Sequence, residues 1–171
     1  MTPEKANTIR TSVIAGALIV AVVLIALYSF GGDSSHSGSA YFYDLNTSKV
    51  FVAPGTGFAP IETPSGPHDG QPAGVRVYIF SCKPCKSFAG MTLDEVRAKG
   101  GTPVWFEVYT PEAKKLLEGG DKRPEVMLEG VLMRAVDSEK WVSSNSRDAV
   151  ALRAKVHEIC PEGQPATACT P

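Results

Sequence analysis

The sequence lacks the short motifs with which many enzymes bind nucleotides, metals or acyl groups. None of the patterns G-x-x-x-x-G-K-[ST], G-x-G-x-x-G, H-E-x-x-H and G-x-S-x-G occurs in its 171 residues. Histidine is also scarce, with three in the whole chain, so few combinations could supply a histidine-based catalytic triad. These absences favour a protein without a catalytic role.

The chain also lacks an excess of charge of either sign. Its 17 Lys and Arg residues nearly balance its 18 Asp and Glu residues, which leaves a formal net charge of -1. We therefore expect no nucleic-acid partner that binds through overall positive charge. Hydrophobic residues make up 43% of the chain, which excludes a wholly disordered protein.

A long apolar run lies near the start of the chain. No charged residue occurs from Thr11 to Gly32, and residues 13–30 are apolar apart from Ser29. About 20 such residues at 1.5 Å each reach roughly 30 Å, the thickness of a bilayer core. The run also exceeds the ~7–15 residues typical of a cleaved signal peptide. We therefore expect residues 11–32 to form a retained transmembrane helix that contacts the lipid bilayer.

The charges that flank this run predict its orientation. Lys5 and Arg10 precede it, whereas Asp33 and Asp44 follow it without a nearby Lys or Arg. The positive-inside rule makes residues 1–10 a cytoplasmic stub and places the rest of the chain outside. The expected location is the cell (inner) membrane. The C-terminal domain would then be periplasmic or otherwise extracytoplasmic, where its partners would be envelope proteins.

The exported part divides by composition. Residues 33–39 form a polar, flexible linker, and residues 40–53 carry two strand-like runs around a turn-forming cluster, which predicts a β-hairpin. Residues 54–74 are rich in proline and glycine and predict a long irregular loop. His68-Asp69 in this loop could contact a metal or a partner, but a solvated loop position is the favoured interpretation. Residues 75–171 are expected to fold as a small cysteine-containing domain. The fold class is therefore α/β (α+β).

Local patterns predict the elements of this domain. The capping box Thr92-Leu-Asp-Glu95 begins one helix, Thr110-Pro111 begins a second, and Asn145 or Ser146 caps the last. In chain order we expect a strand over 75–81, a helix that ends at Gly100-Gly101 and a strand over 102–109. These are followed by a helix up to residue 118, two short strands over 124–136 and a final helix that ends at Cys160-Pro161.

The main group of chemically reactive residues consists of the four cysteines, Cys82, Cys85, Cys160 and Cys169. In an exported domain they predict structural disulfides first, because that compartment is normally oxidising. Four cysteines allow three connectivities, and the spacing does not choose among them. A second interpretation is a zinc site of all four thiolates. Cys82-Lys-Pro-Cys85 has zinc-knuckle spacing, although eight residues separate the other pair. No other cofactor is expected.

A third interpretation concerns redox chemistry. A strand, then Cys82-Lys-Pro-Cys85-Lys86, then a helix resembles the way thioredoxin-like proteins place their reactive dithiol. The resemblance implies a thioredoxin-like fold, thiol-disulfide oxidoreductase activity of Cys82 and Cys85, and a cis-proline at Pro124. The chain departs from that family at Ser81, where a Trp usually stands, and in having Cys160 and Cys169.

The exported part also resembles a group of uncharacterised bacterial single-pass membrane-anchored proteins. The segments that carry the resemblance are YFYDLNT (41–47), GVR (74–76), FSC with the following CxxC cysteine (80–85), YTPEAK (109–114), and WV (141–142) with NS (145–146). This resemblance implies an anchored architecture and no activity. The sequence therefore predicts an anchored protein with a non-catalytic envelope or interaction role, and a membrane-tethered thioredoxin-like oxidoreductase is the alternative.

Overall fold

The computed structural model describes residues 38–121 and 123–171. The predicted cytoplasmic stub and transmembrane helix, with most of the linker, lie outside the described residues. Within the part that is described, no helix is both long and apolar enough to cross a membrane. Residues 38–171 form one compact unit.

The compact unit is built on an antiparallel sheet, so the predicted mixed α/β class is confirmed. The strands are Ser39–Asp44 (β1), Lys49–Pro54 (β2), Pro67–His68 (β3), Gln71–Pro72 (β4), Gly74–Ser81 (β5), Thr102–Tyr109 (β6), Val131–Ala135 (β7), Val142–Ser143 (β8) and Thr167–Ala168 (β9). The helices are Leu93–Ala98 (α1), Pro111–Glu118 (α2), Pro124–Glu129 (α3) and Arg147–Ala154 (α4), which continues as a 3-10 helix over Lys155–Glu158.

Strand β5 lies in the middle of this sheet. The strand order is β2-β1-β5-β6-β7-β8, and β9 pairs with the end of β5, while β3 and β4 form a separate small hairpin. Each of these pairings is antiparallel. Strands β1 and β2 form a hairpin at the position where the sequence predicts one.

The two faces of the sheet bury different apolar clusters, because successive side chains of a strand point to opposite faces. The first cluster contains Phe88 and the helix α1 residue Val96, together with Tyr41, Val50, Val75, Val77, Ile79, Phe106 and Cys169. The second cluster includes the α4 residues Ala149 and Leu152, together with Phe80, Val104, Trp105, Val131 and Met133. The predicted capping box of α1 is confirmed, since Thr92 and Glu95 bond each other reciprocally.

The pairing of β5 and β6 differs from a thioredoxin-like arrangement. A thioredoxin-like βαβ unit contains two parallel strands, and its helix must carry the chain back to the starting edge of the first strand. Strands β5 and β6 are instead antiparallel. The eight residues of β5 span roughly 27 Å, and the six residues of α1 span about 9 Å. Because this short helix does not carry the chain back, β6 begins beside the end of β5 and runs in the opposite direction.

The prediction of a strand starting at Pro124 is wrong. Pro124 is the first residue of helix α3, and Glu125 follows it in the first turn. Proline suits this position because it has no N–H to leave unpaired, and an acidic residue suits the positive end of the helix. The cis peptide bond recorded in the described residues is Ala59–Pro60.

Asp44 fastens the turn of the first hairpin to the loop that follows β2. The Asp44 side chain accepts hydrogen bonds from the Asn46 N–H at 3.0 Å, the Thr47 hydroxyl at 2.9 Å and the Ser65 hydroxyl at 2.9 Å. Burial acts to raise the pKa of Asp44, but these hydrogen bonds outweigh burial and hold it below its usual range.

We predict that Asp44→Asn destabilises the domain at pH 7 by about 1–3 kcal/mol, because three hydrogen-bond donors lose a charged acceptor. A folded-state pKa below the unfolded value means that the carboxylate stabilises the fold at neutral pH. This stabilisation is lost as the pH falls below the pKa of an unfolded aspartate, about 3.9, and then through the lower pKa that Asp44 has in the folded protein. Urea unfolding at pH 7 and at pH 3 measures both effects. The exposed Asp94→Asn is the matched control, and an equal effect of the two variants contradicts the prediction.

Candidate functional site

The four cysteines form two disulfides. Cys82 is bonded to Cys160 and Cys85 to Cys169, with Cα atoms 5.5 Å apart in both bridges. This is one of the three connectivities that the sequence left open. Both bridges run from the segment after β5 to the C-terminal part of the chain, and they span 78 and 84 residues. A bridge of this kind typically adds about 2–4 kcal/mol to stability.

The C-terminal segment is also held by backbone hydrogen bonds. Phe80 and Ser81 of β5 pair with Ala168 and Thr167 of β9. Next to them, the Cys169 N–H donates to the Ile79 carbonyl at 2.8 Å. The bridge from Cys169 therefore secures a segment that pairs with the sheet over two residues.

The structure does not assemble the four cysteines in the two other predicted ways. Zinc requires thiolates, and all four sulfurs are bonded in pairs. Within residues 38–121 and 123–171, no group of three or more His, Cys, Asp and Glu side chains could hold a metal ion. The proposed redox partners Cys82 and Cys85 are each bonded to a distant cysteine, and Pro124 belongs to helix α3.

A groove of about 460 Å³ opens on one face of the sheet, and we refer to it as the apolar groove. Its floor is a row of three residues across neighbouring strands, Val75 of β5, Val108 of β6 and Leu132 of β7. Val108 pairs directly with Leu132. Because Arg76 pairs with Glu107 in the antiparallel β5–β6 ladder, the next residues along, Val75 and Val108, lie opposite each other. Leu45 and Trp141 also line the groove. Its size and apolar lining are typical of a ligand site.

One wall of the apolar groove comes from the proline- and glycine-rich loop. Pro60, His68 and Pro72 line the groove from this side. The loop is held there by Asn46, whose side-chain NH2 group lies 3.0 Å from the Gly66 carbonyl and 3.2 Å from the Ser65 hydroxyl and donates to the loop. The Asn46 Oδ1 also lies 2.8 Å from the His68 Nδ1. The loop is therefore folded, and His68 takes part in its structure instead of being merely solvated.

Gly74 allows the loop to close against β5. The backbones of Ile61 and Gly74 exchange two hydrogen bonds, at 2.8 and 2.9 Å. A Cβ on Gly74 would meet the Ile61 carbonyl oxygen and its Cγ1 at 2.8 Å, closer than real contacts allow. Glycine is therefore required by close approach at this position.

The other wall of the apolar groove carries two lysines, on helix α2. Lys114 donates to the Pro60 carbonyl and lies 3.8 Å from Glu118, and its side chain is 22% exposed. Lys115 is exposed, and among the described residues no carboxylate lies within 4.0 Å of its ammonium group. The rim therefore carries one cation that is already paired and one that is available.

A half-buried carboxyl group, that of Glu107, lies on the opposite face of the sheet. The Tyr78 hydroxyl donates to Glu107 Oε1 at 3.1 Å, and the Trp105 ring stacks on Tyr78 with centroids 4.9 Å apart. Burial raises the pKa of Glu107 above its usual range, although the Tyr78 hydrogen bond and the charge of Arg76 act against this. Burial and the neighbouring Glu107 charge raise the pKa of Tyr78. Neither side chain lines the apolar groove.

Comparison with family models, curated proteins and solved structures finds no match to this chain. The function must therefore be argued from the geometry. Sequence reasoning missed the apolar groove because it treated residues 54–74 as a long irregular loop. The alternation of Val75 and Val108 with the polar Arg76 and Glu107 was a usable signal for one apolar sheet face.

We predict that Glu107→Gln is at least as stable as the wild-type protein at pH 7, because glutamine still accepts from Tyr78 and carries no charge that is partly removed from water. A raised folded-state pKa means that the wild-type protein gains stability as the pH falls through that pKa, and the variant should lose this gain. Tyr78→Phe is the counterpart. It leaves the carboxylate without its donor and should cost about 1–3 kcal/mol. Strong destabilisation by Glu107→Gln would contradict this account.

The two bridges generate a second prediction. Peptide mapping without reduction should recover Cys82 linked to Cys160 and Cys85 linked to Cys169. Replacing Cys85 and Cys169 together by serine should lower the free energy of unfolding by about 2–4 kcal/mol. Chemical denaturation measures this loss, and Ser87→Ala, at an exposed position on the same segment, is the control. A Cys82–Cys85 linkage in the map would disprove the connectivity.

Proposed function

We propose that this chain is a membrane-anchored protein whose extracytoplasmic domain is a non-catalytic binding module. Residues 11–32 would be the anchor, and residues 38–171 would bind a partner or ligand of the cell envelope. The two disulfides are the observation that carries this proposal. Structural disulfides persist in oxidising compartments and are rare in the cytosol.

The geometry of the apolar groove supports a binding role. Its volume lies in the range of ligand sites, and its lining is mainly apolar with a few polar groups at the rim. Two titratable side chains at that rim are already hydrogen-bonded within the fold: Lys114 to the Pro60 carbonyl and His68 to the Asn46 side chain. A general acid or base needs a free position beside a reacting group. This rim is better suited to holding a ligand than to transforming it.

Orientation and disulfide state can be tested together in bacterial spheroplasts. We expect added protease to digest residues 38–171 of the full chain, and we expect all four cysteines to resist alkylation until a reductant is added. A control variant with inverted flanking charges, Lys5→Glu with Arg10→Glu and Asp33→Lys, should favour the opposite orientation. In that variant the domain should be protected and its thiols should become alkylatable, because the cytosol is reducing.

Two results would overturn this proposal. A wild-type domain that is protected from protease and carries free thiols would show that it is not exported. Accumulation of a mixed disulfide on Cys82 in a Cys85→Ser variant would favour the thiol-disulfide oxidoreductase instead. In that case Cys82 would be exchanging with partner proteins, and the bridges would not be purely structural.

A further inference from the structure

We propose that the apolar groove binds an amphipathic monocarboxylate, a fatty acid whose chain lies on Val75, Val108 and Leu132 and whose carboxylate meets Lys115. This inference deepens the binding role proposed above and rests on it for its biological meaning.

The floor of the groove favours a hydrocarbon chain. Val75, Val108 and Leu132 form a continuous apolar row across three strands, with Leu45 and Trp141 beside it. Apolar contact is not directional, so the row suits any chain that fits its width. Each methylene group buried there would tighten binding by about fourfold.

The backbone around the floor disfavours an extended peptide as the occupant. The Tyr109 N–H donates to the Ala59 carbonyl at 2.7 Å, and the Thr110 N–H donates to the Gly130 carbonyl at 2.8 Å. The Leu45 N–H is likewise bonded to the Ala73 carbonyl at 3.0 Å. A peptide laid along the groove would find these amides already paired and would leave its own backbone groups unsatisfied. An acyl chain has no such groups.

The charge at the rim favours a single carboxylate. Two lysines and one glutamate line the groove, and Glu118 pairs with Lys114. This leaves Lys115 as the cation that a ligand can meet. A monocarboxylate balances one positive charge, whereas a doubly charged phosphate would leave an uncompensated negative charge.

The test is photolabelling of the full chain in phosphatidylcholine nanodiscs. The probe is dodecanoate with a diazirine at the methyl end of its chain. After reduction and digestion, we expect labelled peptides that contain the floor residues of β5, β6 or β7. Free dodecanoate should suppress this labelling at a concentration at least fivefold lower than its methyl ester, which has the same chain and no charge.

Lys115→Met provides the matched variant, because methionine keeps an apolar stem and removes the charge. Labelling of the groove should require roughly threefold to tenfold more probe in this variant, as for the loss of a partly exposed charged contact. Lys99→Met, at an exposed lysine on the C-cap of α1, should behave like the wild-type protein. Retained disulfides and an unchanged urea midpoint show that either variant is folded.

Several outcomes would overturn the fatty-acid proposal. These are labelling confined to residues 11–32, equal competition by the acid and its ester, or equal behaviour of the Lys115 and Lys99 variants. Stronger competition by an apolar peptide would assign the groove to a protein partner instead. None of these results bears on export, which the protease and alkylation experiment decides separately, so the two proposals can fail independently.

Discussion

The arrangement of the domain depends on how strand β5 is paired along its two edges. One edge pairs with β6, and the other is shared by β1 at the start of β5 and β9 at its end. Strand β9 has two residues, and pairing of that length is too weak to order a chain terminus by itself. The Cys85–Cys169 bridge holds the next residue of the chain in place. A covalent bond therefore completes the edge of the sheet where hydrogen bonds alone would fray.

Elements with local signals could be predicted from the sequence, and those that depend on distant contacts could not. The Thr92–Glu95 capping box and the Thr110 and Ser146 caps join residues three apart, so their patterns are visible in the chain. The choice of cysteine partners joins atoms 78 and 84 residues apart. The direction of β6 depends on how far helix α1 carries the chain. Neither property is encoded in a short window of residues.

The loop over residues 54–74 shows why composition alone misjudged the candidate site. Its prolines and glycines do exclude long regular elements, and the structure has only the short β3–β4 hairpin there. Its backbone groups are nevertheless satisfied by other parts of the fold. Asn46 in the first hairpin and Tyr109 at the end of β6 both bond to it. The loop becomes an ordered wall because its partners lie outside it.

This dependence couples the apolar groove to an ionised carboxyl group. The wall that carries His68 is held by Asn46 and Ser65, and both donate to Asp44. Asp44 lies under the turn of the first hairpin with 6% of its surface exposed. Protonation of Asp44 would weaken the three hydrogen bonds that its carboxylate accepts. The loop that these hydrogen bonds hold would then be less firmly attached. The floor rests on apolar packing that has no such dependence on pH. Acid should therefore loosen the wall of the groove before it disturbs the sheet beneath.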